Sequence, residues 1–146
     1  MYLDRYFFEF PLNEAASWGY GYKALTTLFE SPQYKGKRVI MSRPEFSPYI
    51  FLLFYSAYDP QTYRYEAKRY PPTADGFVDV SSFGRFEFRD IHWNNDSCLP
   101  STILVDYVDE KSSYIYPNSQ VIRLPNGNPY LQVFTTNGSG CDKKSI

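Results

Sequence analysis

The chain has 146 residues, enough for one domain with a sizeable core, and a formal net charge of -1 at pH 7. Aromatic residues dominate its apolar content: 15 Tyr, 12 Phe and 2 Trp stand against 24 residues of Ile, Leu and Val together. This apolar content with so little net charge excludes a disordered chain, and the longest apolar run, Tyr49 to Tyr55, falls far short of the ~20 residues of a membrane-spanning helix.

In chain order, residues 2–10 read as a strand with Tyr6, Phe8 and Phe10 on one face, ended by Pro11. Residues 14–30 carry the one helical pattern. Asn13 can cap it, Ala15, Trp18, Tyr22, Leu25 and Phe29 form one apolar stripe, and Ser31-Pro32 stops it. Strands are then expected at Lys37 to Ser42, Tyr49 to Ala57 and Thr62 to Tyr70. The second is apolar on both faces, as a central covered strand would be. The third alternates Tyr63, Tyr65 and Ala67 against Arg64, Glu66 and Lys68. Further strands follow at Phe77 to Val80, Arg85 to Trp93, Ile103 to Asp109, Ser113 to Tyr116, Gln120 to Leu124 and Tyr130 to Thr136. Asn126-Gly127 marks a hairpin between the last two, and the flanking Pro125 and Pro129 call for a loop longer than two residues. The fold class expected is α+β, mainly antiparallel β: one N-terminal helix packed on a twisted sheet or a partly closed barrel. Residues 1–146 read as a single domain, with a polar C-terminal tail from about residue 137.

The residues give little support for catalysis. The single histidine, His92, precedes Asp96 and Cys98 in no spacing that builds a nucleophile with its base. Glu66 and Glu87 fall among basic neighbours, as in cross-strand charge pairing, rather than forming a carboxylate pair for glycoside hydrolysis. Neither Asp106, Asp109 and Glu110 nor Asp90, Asn94, Asn95 and Asp96 follows a calcium-loop spacing, so no metal and no cofactor is expected. Cys98 and Cys141 are far apart in a chain with an adequate core and read as free thiols. The triplets Asn95-Asp96-Ser97 and Asn137-Gly138-Ser139 match the glycosylation pattern but read as chance without a leader segment. For the same reason the chain is expected in the cytoplasm or assembled in a particle, with no membrane partner.

What remains is binding. Tyr, Trp, Phe and Arg are the residues that interfaces enrich. The expectation is therefore a non-enzymatic structural or adaptor subunit of a larger protein assembly, a viral or phage particle component being one concrete form. Its contacts are expected at Tyr63, Arg64, Tyr65, Arg69 and Tyr70, and at Tyr114 with Tyr116. A small-ligand or carbohydrate-binding β module is the alternative. A single-stranded nucleic-acid-binding module is the second, from the interleaving of Tyr63, Arg64, Tyr65, Lys68, Arg69 and Tyr70 with Arg85, Phe86, Phe88 and Arg89, although the near-neutral charge makes nucleic acid an unlikely partner.

Overall fold

The computed structural model describes residues 2–43, 48–108 and 116–138. Its frame is a mixed, open sheet of seven strands in the order β2-β3-β4-β1-β5-β7-β6. The strands are β1 (Arg38–Met41), β2 (Lys68–Arg69), β3 (Val80–Phe83), β4 (Phe86–Phe88), β5 (Thr102–Tyr107), β6 (Gln120–Arg123) and β7 (Pro129–Thr135). The centre is parallel. β1 lies between β4 and β5 and runs with both, Val39 pairing Phe86 on one side and Ile103 on the other. The flanking pairs β2–β3, β3–β4, β5–β7 and β6–β7 are antiparallel. The sheet is thus mixed rather than mainly antiparallel throughout, and it is not a closed barrel.

Parallel neighbours need crossovers, and the helices supply them. α4 (Tyr49–Tyr55) and α5 (Pro60–Glu66) lie in the connection from β1 towards β4, while α6 (Trp93–Asp96) lies in the connection from β4 to β5. α3 (Gly21–Phe29) precedes β1 and packs on α4 and β6. One sheet face forms the main core, where Val39, Met41, Phe86, Phe88, Ile103, Val105, Leu131 and Val133 meet Tyr22, Leu25 and Phe29 of α3 and Leu52 of α4. Alternation sends Ile40, Leu104 and Gln132 to the opposite face, where they are also buried.

Several expected elements change type. Residues 2–13 are helical, with α1 (Tyr2–Asp4), a wide π turn over Arg5–Glu9, and α2 (Phe10–Asn13), so the expected strand is absent. Tyr6, Phe7 and Phe8 in succession break the two-residue period, while Arg5 and Glu9, four residues apart, pair at 3.6 Å as helical neighbours do. The helix expected over 14–30 shortens to α3 because Gly19 takes φ +68°, a left-handed conformation that stops any helix running through it. A Cβ at Gly19 would also stand 2.6 Å from the Phe51 ring, so glycine is the residue that lets α4 approach.

Tyr49 to Ala57 forms α4 instead of a central strand. A short run that is apolar all round fits either element; here Leu52 is inward and Phe54 outward. Thr62 to Tyr70 becomes α5 followed by the two-residue β2. Asp59 caps α5, accepting from the Thr62 N–H and hydroxyl, both at 2.7 Å, and Pro60 takes the first helical turn, where its missing N–H is harmless. The β6–β7 hairpin has the longer loop that its prolines imply. Leu124 N–H donates to Asn128 O, and Gly127 turns with φ +88°. Cys98 is disulfide-bonded, not a free thiol; Cys141, Tyr114 and most of the polar tail lie outside the described residues.

Candidate interaction surfaces

The patch expected at residues 63–70 does not form as one surface. A two-residue step reverses direction on a helix rather than repeating it. Tyr63 therefore turns inward, stacking on Tyr49 and meeting Phe83 edge-on at 5.5 Å, while Tyr65 points out at 88% exposure beside Arg64. Tyr70 is half-buried. Its hydroxyl donates to Phe88 O at 2.6 Å, and the Arg43 guanidinium sits over its ring at 4.3 Å. Arg69 is exposed. Tyr63 and Tyr70 thus serve the fold, leaving Arg64, Tyr65 and Arg69 on the surface.

Tyr116 belongs to a built cluster on the second sheet face. Its ring stacks on Trp93 with centroids 3.6 Å apart, and Phe134 of β7 closes on the Trp93 ring at 6.1 Å. Beneath them Asp106 accepts from the Ser42 hydroxyl at 2.6 Å, the Tyr107 N–H at 3.0 Å and the Trp93 indole N–H at 3.3 Å. Gln132, buried, accepts from the Tyr116 N–H at 3.1 Å. This group lies at the carboxyl end of β1 and β5, a frequent place for ligands in parallel sheets. Here, however, the two large rings turn their faces to each other.

The basic and acidic residues of the same face are matched internally. Arg89 makes a bidentate pair with Asp96, both bonds 2.7 Å, and donates to Glu87 at 2.7 Å; Arg38 also donates to Glu87. Hydrogen bonds from Arg89 hold the Asp96 carboxyl below the usual carboxylate range against its partial burial. Burial pushes Glu87 up, but Arg38 and Arg89 outweigh it and the net displacement is downward. Arg85 donates to Phe29 O at 3.1 Å and Tyr34 O at 2.9 Å, satisfying carbonyls at and beyond the end of α3. Phe86 and Phe88 are buried. The Arg-Phe interleaving in this strand is therefore core and capping rather than a base-stacking surface. Glu66 accepts from the Tyr58 hydroxyl at 2.5 Å, so it and Glu87 each serve a separate contact instead of facing one another as an acid pair. Among the described residues, no group of three or more His, Cys, Asp or Glu side chains is placed to hold a metal ion, and no helix is long and apolar enough to cross a membrane.

Besides Tyr65, and Phe77 at 72% exposure, further exposed aromatics lie in the N-terminal segment and on α4. Phe7, Phe8 and Trp18 are 62%, 70% and 70% exposed, and Phe54 on α4 is 76% exposed. In the N-terminal segment Tyr6 meets Phe7 edge-on and stacks with Phe10, and Phe10 meets Trp18 at 6.3 Å; on α4, Phe54 lies three residues from Phe51, whose ring stands beside Gly19. Three consecutive aromatics, Tyr6-Phe7-Phe8, were the available signal, because no regular element can bury all three on one face. No known protein family, characterised protein or solved structure matches the chain.

Proposed function

We propose that the chain is a non-enzymatic interaction domain, held in a larger assembly through the aromatic face of its N-terminal arm and α4. The observation that carries this reading is the exposure of Phe7, Phe8, Trp18 and Phe54. An aromatic side chain has about 150–250 Å² to bury. At their fractional exposures these four together present on the order of 500 Å² of aromatic surface to solvent, shared between the N-terminal segment and α4. Helical segments 2–4, 5–9 and 10–13 contribute no buried side chain among positions 3–13, so little among the described residues accounts for their apolar character. A partner protein surface, on a separate subunit or elsewhere in a longer chain, would desolvate these rigid rings at small entropic cost. The Cys98 disulfide supports an oxidising compartment as the place of assembly.

The test compares the wild-type chain with a Phe7→Ser, Phe8→Ser, Trp18→Ser variant, each recovered by tag from the native source and analysed by mass spectrometry and light scattering. The expected result is a stoichiometric partner on the wild-type chain that is lost from the variant. A wild-type chain that stays monomeric at micromolar concentration, with the same co-purifying proteins as the variant, would overturn the proposal.

A further inference from the structure

The sheet has two edges of unlike character. At one end β2 is two residues long, Lys68 and Arg69, both exposed and both cationic, a design that discourages another strand from pairing there. At the other end β6 presents Gln120-Val121-Ile122-Arg123, with Val121 and Ile122 half-buried. Among the described residues β6 pairs only with β7, which leaves its outer edge without a strand partner there. Beside this edge runs a groove of about 700 Å³ between α3 and β6. Its lining includes Ala24, Thr27 and Leu28 of α3 with Ile122 of β6, and two cations, Lys23 from the helix and Arg123 from the strand, the latter also donating to Gly127 O at 3.0 Å. Among the described residues no acidic side chain lines it.

From this arrangement we infer that the α3–β6 groove is a strand-addition site for an extended polypeptide segment that alternates acidic and apolar side chains. An added strand would complete the backbone hydrogen bonds of β6. Its side chains on the α3 side would lie against Ala24, Thr27 and Leu28, within reach of Lys23 and Arg123. The two cations choose an acidic segment over a basic one, because electrostatic complementarity chiefly supplies specificity and like charges are rejected. The groove does not include Phe7, Phe8, Trp18 or Phe54, so the site is separable from the aromatic face.

The probe is a labelled synthetic peptide of alternating Glu and Val, titrated into the full chain by fluorescence anisotropy. Saturable binding is expected, with the Lys-Val counterpart at least about tenfold weaker. The double variant Lys23→Glu, Arg123→Glu, with both sites on the surface, is expected to reverse that preference. The same Glu-Val peptide methylated on alternate backbone nitrogens should lose binding, and amides within Gln120 to Arg123 should gain hydrogen-exchange protection only with the unmethylated form. The Phe7, Phe8, Trp18 variant should bind the peptide as the wild type does, which separates failure of this inference from failure of the aromatic-face reading. Equal affinity for acidic and basic peptides, or undiminished binding of the methylated peptide, would refute strand addition. So would dimerisation through β6 that the peptide cannot compete away, which would make a second copy the occupant.

Discussion

Two phenylalanines with opposite surroundings separate core from interface, and truncating each to alanine should give widely different costs. Phe83 is 1% exposed and its ring touches Tyr58, Tyr63, Phe86 and Phe88, with centroids at 5.1, 5.5, 5.3 and 5.8 Å. Phe→Ala in a core costs about 3–5 kcal/mol, through lost transfer energy and the cavity left behind. Aromatic pairs add about 0.5–1.5 kcal/mol each beyond area, and with four such pairs Phe83→Ala belongs at about 4–5 kcal/mol. Phe8 is 70% exposed. The remaining fraction of its ring shields about 60 Å², an upper bound of about 1.5 kcal/mol at 25 cal/mol per Å². Alanine's better helix propensity returns about 0.5 kcal/mol, so Phe8→Ala should cost no more than about 1 kcal/mol. Urea unfolding followed by circular dichroism measures both, with the slope m checked for constancy. A cost above about 2 kcal/mol for Phe8→Ala would show that its ring is packed, and a difference below about 2 kcal/mol between the two variants would refute the division of aromatics argued above.

Acid should destabilise the chain through the Arg89 network. Asp96 and Glu87 have folded values below their unfolded ones near 4, so their contribution is present above that pH and is lost as pH falls through the depressed folded values. Arg89→Met should lower stability at neutral pH and flatten its dependence between about pH 5 and 3, read from urea midpoints across that range. Alkali should destabilise the chain as well, through groups whose folded values are raised instead of lowered. Burial raises Tyr22 and Tyr107, whose hydroxyls bond to each other, and burial together with Glu66 pushes Tyr58 up to about 12. These phenols stay protonated in the fold, so their contribution is full below the unfolded value near 10 and is lost as pH rises beyond it. Phenolate absorbance should show a late-titrating class that disappears on unfolding. Tyr107→Phe, which leaves the Tyr22 hydroxyl without this partner, should cost about 1–3 kcal/mol at neutral pH.

The legible parts of the fold are those where one local rule acts without competition. Arg38–Met41 is a strand within the range expected, because a β-branched run after a glycine turn has few alternatives. The β6–β7 hairpin and its long loop follow from Asn126-Gly127 between two prolines. The misread parts are those where two rules compete. In 59–66, a clean alternation of Tyr and charged residues argued for a strand, but Asp59-Pro60 with Thr62 is a helix start whose cap satisfies real donors, and the cap prevailed. In 49–55 an all-apolar run left the period undetermined. That single change of period also dissolved the expected site. Once 60–66 is a helix, Tyr63 and Tyr65 cannot share a surface. The sheet's parallel centre was equally hidden, because pairing direction depends on crossovers that strand patterning does not encode.

The aromatic excess has two different physical origins in this chain. Inside, phenylalanine and tyrosine replace aliphatics where strands are short: Phe83, Phe86 and Phe88 occupy β3 and β4, and a single ring spans the gap from sheet to Tyr58 and Tyr63 that a valine would leave open. Outside, Phe7, Phe8, Trp18 and Phe54 have no such gap to fill. Gly19 is the hinge between the two populations. Its left-handed backbone separates the turn that carries Trp18 from α3, so that Tyr22, Leu25 and Phe29 face the core while Trp18 remains outside with the arm. Replacing Gly19 with alanine would strain φ and drive a methyl into Phe51. The same residue that permits α4 to close on α3 therefore also fixes which aromatics are left for a partner.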